Sequence, residues 1–530
     1  MDKRIIGSFY TPKIIADFLV DYLSEKMAGR NMISILEPSA GDGSFIKTLC
    51  NNKLFEEKTN KVVAVEREEG ELNKIKRENS FPFLQCIHSD FLEYQKENSE
   101  QFSLVLGNPP YIKKNFLEVN QIALCEHIHK GAFLSTNSIK NIWTAFLVRC
   151  IKFTADDGIM AFVLPAELLQ VKYASEIRQL IINEFERVEV FTFGELLFDD
   201  CKGQDTLLLI AERKSRNKGV YYCNIKKAED LESRNFQLVQ NVNIKESKWT
   251  HHHLQSEEIE LMERIRLKIK TVNDYSSSKA GIVTAANNYF IVDKKTLEQY
   301  SFQELGKPII QKGLFVNGSV ELDFSDFSAI VDQNKPAYLL AFDQESVAKL
   351  GVKFEVYKSL GEKDKLHERF KMLQRANWYE VPNIVKPAEG FFFKRCDKYP
   401  KLIKNSAQVL VTDSAYVVSM RDQHEIEDLI FSFYNSLTLS FAELNGRHYG
   451  GGVLELTPNE FKGLPIPFIK IGKKRFKSYV QDFEHKESIK DVCFANDSEI
   501  LKSIDTSMDD DVINKLFTIR EKLYLSRIKK

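Results

Sequence analysis

ISILEPSAGDGSF, residues 33–45, reads as a buried strand, Ile33 to Glu37, that turns through small residues into a helix starting at Ser44 and running to Leu54. The same alternation continues on both sides. Downstream, Val62 to Glu66 reads as a strand, Leu72 to Asn79 as a helix, and Leu84 to Ile87 and Ser103 to Leu106 as strands. Trp143 to Phe153 then reads as a helix, Gly158 to Leu164 as a strand and Tyr173 to Phe185 as a helix, and strands at Val188 to Thr192 and Thr206 to Glu212 complete the set. Upstream, Ile14, Ile15, Phe18, Leu19, Tyr22 and Leu23 recur at helical spacing behind Pro12, which suits a first helical turn, so an amphipathic helix covers residues 13–28. Strands separated by helices imply crossover connections, and crossovers imply an α/β fold: a parallel sheet with helices on both faces.

With 530 residues, 43% of them hydrophobic, the chain is too long for one ordinary domain. Past residue 213 the pattern changes to short apolar runs between turn signals, such as GIVTAANNYFIVD at 281–293 and SAYVVSM at 414–420, with Ser256 to Ile269 as a helical connector. A mixed α+β region is expected there. A helix at Glu425 to Leu444 precedes the loop at 446–467, Ser276 to Ser278 reads as a flexible loop, and a last helix covers Asp511 to Ile528 with acids at its start and bases at its end. The expected boundaries are 1–245, 246–478 and 479–530. Lys plus Arg number 74 against 75 Asp plus Glu, so a polyanion would have to be met by a local basic patch. Eight cysteines, none in a CxxC pair, exclude a zinc ribbon or disulfide framework and fit a reducing cytoplasm. The N-terminus lacks a signal-peptide pattern and no stretch is apolar enough to span a bilayer, so a soluble, unprocessed protein with no membrane partner is expected.

Chemistry concentrates at the strand ends. The turn at 36–45 lets backbone approach a ligand at the carboxyl end of the sheet, although many such turns are merely tight. Glu66, ending the second strand, can accept both ribose hydroxyls of a nucleoside. Asp90, ending the third, can accept from an adenine amino group while Phe91 packs on the ring; a helix cap is the plainer role for either carboxylate. After the apolar strand SLVL come Gly107, Asn108, Pro109, Pro110 and Tyr111. Two prolines cannot continue a central strand, so this is a rigid loop. An exocyclic amine is a poor nucleophile because its lone pair is delocalised into the ring. The Asn108 side-chain oxygen and the Pro109 carbonyl can each accept one amine hydrogen, directing the lone pair at a methyl donor, while Tyr111 offers a face to a flipped base.

With these residues in view, the chain resembles the DNA adenine-N6 methyltransferases that use S-adenosylmethionine, in the gamma arrangement where a target-recognition domain follows the catalytic domain. The resemblance is carried by FYTP (9–12), EPSAGDG (37–43), VAVE (63–66), SDF (89–91) and NPPY (108–111), and more loosely by NIWTAFL (141–147), GIMAFVLP (158–165) and GGGVLELTP (450–458). It implies a Rossmann-like catalytic domain over 1–245, a mixed α+β target-recognition domain over 246–478 and a helical segment over 479–530. It also implies that Tyr10 and Thr11 close over the methionine end of the cofactor, that Glu37, Ala40 and Gly41 line its amino acid moiety, that Glu66 holds the ribose and Asp90 with Phe91 the adenine, and that Asn108 borders both cofactor and target. Phe198 matches the aromatic placed against the second face of the flipped base, and a core phenylalanine explains the same letter equally well.

The implied reaction is direct methyl transfer to adenine N6 of duplex DNA, with no covalent intermediate, no metal and no catalytic cysteine. Cys125, His127 and His129 lie close together but lack a fourth ligand, and His251, His252 and His253 have no accompanying ligands. For DNA, Arg447, His448, Tyr449, Gly450 and Gly451 combine a cation, an aromatic and closely approachable backbone, and a plain helix-terminating turn fits the same residues. Lys470 to Lys477 is a basic stretch that suits either a DNA backbone or solvent. Competing readings are the same chemistry on cytosine N4, RNA or a protein glutamine, and a non-catalytic DNA-specificity module. A cognate restriction nuclease is expected on a separate chain, and a single chain carrying both domains can act as a monomer.

Overall fold

The computed structural model describes residues 11–78, 81, 83–94, 101–193, 206–225, 227, 229–241, 249, 254–316, 318–384, 386–449, 452–505 and 508–528. These divide into two compact units, one of residues up to Ile259 and one from Glu260, with the stretch 449–452 grouping with the first.

The first unit is built on a nine-stranded sheet. Helix α1 (Lys13–Met27) precedes β1 (Ile33–Glu37), α2 (Ser44–Cys50), α3 (Lys53–Lys58), β2 (Thr59–Glu66), α4 (Glu69–Glu78), β3 (Leu84–His88) and β4 (Phe102–Gly107). After these come α5 (Val119–Lys130), α6 (Trp143–Phe153), β5 (Thr154–Pro165), α7 (Ser175–Glu184), β6 (Arg187–Phe193), β7 (Thr206–Glu212), β8 (Gly219–Ile225) and β9 (Val239–Asn241). The strand order is β3-β2-β1-β4-β5-β7-β6-β8-β9. The first five strands are mutually parallel, so β1 and β4 are central and their carboxyl ends lie side by side. The expectation of a parallel sheet fails at β7, which runs antiparallel to both β5 and β6. A strand returning beside its neighbour in sequence pairs antiparallel, whereas a parallel neighbour needs a crossover.

Side chains alternate between two apolar layers. Ile35, Leu104 and Leu106 face the layer that holds Leu19, Phe45 and Leu49, while Leu36 and Val105 face the layer of Trp143, Phe146 and Ile177. Burial on both faces is why these strands read as continuous apolar runs. The helix expected over 44–54 is two helices, because Asn52 turns the chain and caps α3 by accepting from the Leu54 amide at 3.2 Å. α1 is pinned by charge as well as packing: Lys26 reaches Glu189 on β6 at 2.8 Å and Glu212 on β7 at 2.7 Å.

The second unit is mixed α+β. A five-stranded sheet orders Ser276–Ala280, Ala415–Met420, Gly390–Phe393, Lys401–Asn405 and Glu321–Leu322. Ser276 to Ser278, expected as a loop, is thus an edge strand paired antiparallel with Ala415–Met420, with Ser276 and Ser278 on its buried side. The helix expected at 425–444 is broken at Asn435, which caps Ser436–Asn445 after Ile426–Phe433 ends. Helix Asp510–Ile528 carries Arg527, fully buried against Glu443 at 2.7 Å. Among the described residues no helix is long and apolar enough to cross a membrane.

Candidate active site at the carboxyl ends of the central strands

The turn after β1 is shaped by two glycines in the left-handed region, Gly41 at φ 53° and Gly43 at φ 76°, conformations that side chains with a Cβ rarely adopt. The Ala40 amide donates to the Val65 carbonyl at 3.0 Å. Beside it, the Glu66 carboxylate accepts from the amides of Gly41 at 2.7 Å and Glu68 at 2.8 Å. Glu66 therefore ties the turn to the end of β2 while its remaining lone pairs can still accept hydroxyls.

The second half of the site comes from β4. Gly107 lets this strand end approach the turn: a Cβ there would lie 3.2 Å from the Pro38 ring. Immediately after, the Asn108 carbonyl accepts from the Ser39 hydroxyl at 3.1 Å, and the Asn108 amide nitrogen donates to Thr11 Oγ1 at 3.3 Å. That donation sets which end of the amide is the acceptor. Thr11, just before α1, is itself buried, so three separate segments meet at Asn108.

A cavity of about 450 Å³ opens among these pieces, within the usual range for a small-molecule site. Glu37, Ala40, Gly41, Glu66, Asp90 and Asn108 line it, joined by Thr11, Phe91 and Pro110. The Glu37 carboxyl is buried, and among the described residues its Oε2 has no hydrogen-bond partner. Burial first, and then the charges of Asp42 and Glu66, push its pKa well above the usual carboxylate range. Asp90 is partly occupied: one oxygen caps the next turn by accepting from the Leu92 amide at 2.9 Å, and the other accepts from Gln121 on α5 at 3.0 Å.

Other expected residues are placed differently. Pro109 is buried outside the cavity lining. Tyr111 also lies outside the lining; it is buried in the apolar layer of α6, and its hydroxyl donates to the Val163 carbonyl at 3.1 Å. Phe91 borders the cavity while packing against Phe146 at 5.3 Å. Tyr10, Phe198, Gly450, Gly451 and the histidines at 251–253 lie outside the described residues. On α5, Cys125 and His129 are buried while His127 is exposed; burial pushes the Cys125 thiol up to about 12, which favours its neutral form. Arg447 lies 3.5 Å from Glu460, the His448 ring bonds the Glu443 carbonyl at 3.0 Å, and Tyr449 is exposed. Lys470 to Lys477 leads into helix Lys473–Glu484.

Sequence reasoning gave no role to Gln121, Ile142 or Phe146, which complete the wall around Asp90 and Phe91. The signal for the last two lies in NIWTAFL, whose apolar letters alone read as core.

Comparison with known proteins matches the profile of the N-6 DNA methylase family to residues 2–288. The chain belongs to this family. The C-terminal domain of the type II methyltransferase M.Eco57I matches residues 246–501 of this methylase. It is 23% identical over 526 residues to the type II methyltransferase M.AccI of Acinetobacter calcoaceticus, covering 96% of this chain and 94% of that enzyme. Over 226 residues it is 28% identical to modification methylase CviBIII of Paramecium bursaria Chlorella virus NC1A, spanning 41% of this chain and about half, 52%, of that one. In fold it is similar to the type IIL restriction-modification enzyme MmeI, with a TM-score of 0.60 at 13% identity over 99% of this chain and 77% of that one. A nuclease-deletion mutant of the type ISP enzyme LlaGI gives 0.51 at 14% identity over 90% and 54%. This methylase is a DNA methyltransferase of the restriction-modification type, with a Rossmann-like methyltransferase domain and a mixed C-terminal domain.

Proposed function

We propose that this methylase transfers a methyl group from S-adenosylmethionine to adenine N6 in duplex DNA, after flipping the base, as the modification enzyme of a restriction-modification system whose nuclease is a separate chain. The observation that carries the reading is Asn108, held in the wall of the same cavity as Glu37 and Glu66 by Ser39 and Thr11.

The residues present fit the cofactor. A buried, anionic-capable Glu37, whose Oε2 has no partner among the described residues, suits the amino group of a methionine moiety, Glu66 suits a ribose, and the Ile142, Phe146 and Phe91 side chains suit a purine face. When bound, S-adenosylmethionine supplies an electrophilic methyl group on a sulfonium. Asn108 Oδ1 and the Pro109 carbonyl accept the two hydrogens of the target amine and draw its lone pair out of ring conjugation. The two prolines hold those acceptors in place before the base arrives, and Tyr111 stacks on it if its ring turns out of the core. Gln121 orients Asp90 toward the purine amino group. Residues 1–245 act as the catalytic domain, and 246–478, with the helical segment 479–530, as the part that selects the sequence. The active species is a monomer in the cytoplasm.

Long-read sequencing of DNA from cells expressing the chain tests this. A single motif bearing N6-methyladenine, lost in Asn108→Ala while calorimetric binding of S-adenosylmethionine persists, is the expected result. Transfer to cytosine, RNA or a protein glutamine instead, or near-normal adenine methylation by Asn108→Ala, overturns the assignment.

A further inference from the structure

GIVTAANNY, residues 281–289, belongs to the second unit and borders a second cavity, of about 710 Å³. Its backbone is held unusually close to the neighbouring chain. A Cβ on Gly281 would lie 2.3 Å from the Thr412 carbonyl oxygen and 2.5 Å from that of Val411, so only glycine fits. The Ile282 amide donates to Val411 at 2.9 Å, the Asp413 amide returns to Ile282 at 3.0 Å, and the hydroxyls of Thr412 and Ser414 donate to the Gln311 carbonyl at 3.1 and 2.8 Å. Across the cavity, Gly361 lets helix Val352–Lys363 close onto Trp378, since a Cβ there would lie 2.3 Å from the indole. The walls are thus rigid while the groups that line them are polar.

Those groups are the kind that read base edges. Asn287 Oδ1 accepts from the Thr284 hydroxyl, and among the described residues its side-chain amide hydrogens have no partner, which leaves them for a ligand. Asn288 is exposed beside it, and Gln311 has its backbone fixed as described. Two carboxylates, Asp364 and Asp413, also border the cavity and disfavour a phosphate inside it. At its rim the segment 363–375, KDKLHERFKMLQR, carries five Lys or Arg against two acids. Arg369 and Lys371 are exposed there, and among the described residues neither forms an ion pair; Arg369 only reaches the Ala285 carbonyl at 3.4 Å. Mixed donors and acceptors inside with cations outside match a base edge flanked by phosphates, as phosphate contacts position and base contacts specify.

We propose that this cavity is a sequence-reading site in which Asn287, Asn288 and Gln311 hydrogen-bond a base edge of duplex DNA while Arg369 and Lys371 hold adjoining phosphates. The assignment rests on the DNA-methylating reading above and adds the residues that would set its motif.

Full-length protein tests it with Asn288→Ala, Gln311→Ala and the double variant Arg369→Ala/Lys371→Ala. Binding to a random-sequence duplex is measured against salt, and the methylated motif by long-read sequencing. The double variant should bind at least about tenfold more weakly at 0.1 M salt, with the log-log salt slope smaller by about 2, and keep the motif. One of the amide variants should keep the salt slope and relax the motif, with discrimination at one position falling about tenfold or more. An unchanged slope overturns the phosphate role, and an unchanged motif in both amide variants overturns base reading. Calorimetric binding of S-adenosylmethionine should stay at the wild-type level in all three, which separates a local defect from misfolding. A wild-type chain that neither binds nor methylates DNA would sink the reading on which the site rests.

Discussion

On the proposed reading, Glu37 is placed where stability and binding ask opposite things of one carboxyl group. It is 1% exposed, with one oxygen that has no hydrogen-bond partner among the described residues and with two acidic neighbours, and its pKa is raised well above the ordinary value. A folded-state pKa above the unfolded value of about 4.3 means that the folded protein holds its proton over a range where the unfolded chain has lost it. The stability that this one carboxyl contributes is therefore fully present below the unfolded value and is lost as pH rises from there through the raised one. Glu37→Gln removes that penalty, so the ligand-free variant should melt higher than wild type at neutral pH. Capturing an ammonium requires the carboxylate, so wild-type affinity for S-adenosylmethionine should fall as pH drops through the raised pKa, while the variant binds about 10- to 100-fold more weakly and without that pH dependence, as expected for loss of a charge-assisted hydrogen bond. Calorimetric titration and melting over a pH series measure both; a variant that binds normally, or that melts lower at neutral pH, defeats the argument. At this scale much of the cavity wall was legible. Glu37, Gly41, Glu66, Asp90 and Asn108 stand in chain order at strand ends, where polar and small residues interrupt apolar text. Gln121 on α5, Ile142 just before α6 and Phe146 on α6 were not legible, because their letters are those of an ordinary amphipathic helix and its approach.

Between elements, the helix that delivers Thr11 to Asn108 is held down by a buried charge cluster far along its length. Glu189 on β6 is fully buried between Lys26 at 2.8 Å and Arg187 at 2.6 Å. Removing one partner of such a group strands the other. Lys26→Ala should lower unfolding stability by about 2 kcal/mol, less than the loss for an isolated pair because Arg187 remains. Glu189→Gln in the same background should recover most of it by removing the stranded charge. Urea denaturation measures the cycle, and equal stability of Lys26→Ala and wild type would show that α1 is held by its apolar face alone. None of this could be read from spacing, since Lys26, Glu189 and Glu212 are far apart in sequence and each passes for a surface charge. The position of β7 was illegible for the same reason: its seven residues look the same whether they pair parallel or antiparallel. Ser276 to Ser278 pointed in the other direction, because serine signals turns by its local hydrogen bonds: the Ser276 hydroxyl does keep one, to the Val272 carbonyl, but the backbone pairs with a strand 142 residues away, where Ser277 stands opposite Ser419 and its hydroxyl donates to the Ser419 carbonyl.

For the molecule as a whole, the net charge of -1 means that duplex DNA cannot be drawn in by an overall field and must be met by particular surfaces. Two ligands and two separate cavities then make a joint prediction for hydrogen exchange. A ligand present at a hundred times its dissociation constant stabilises the state it binds by about 2.7 kcal/mol, which slows exchange through openings that release it by about a hundredfold. S-adenosylmethionine should therefore protect amides that border the first cavity, those of Gly41, Glu68 and Leu92 among them, whose partners are Glu66 and Asp90. It should leave 281–289 and 366–373 unchanged. Duplex DNA containing the methylated motif should protect those two stretches, and the Arg369→Ala/Lys371→Ala variant should lose that second pattern while keeping the first. The reverse assignment, with DNA protecting only the region around Arg447 and Tyr449, would place the reading surface on the loop singled out by sequence and not on the cavity. Arg447 already has Glu460 at 3.5 Å, so a phosphate there would compete with a carboxylate, whereas at Arg369 and Lys371 it would meet no ion pair among the described residues. That difference in competition is why protection is expected over 366–373.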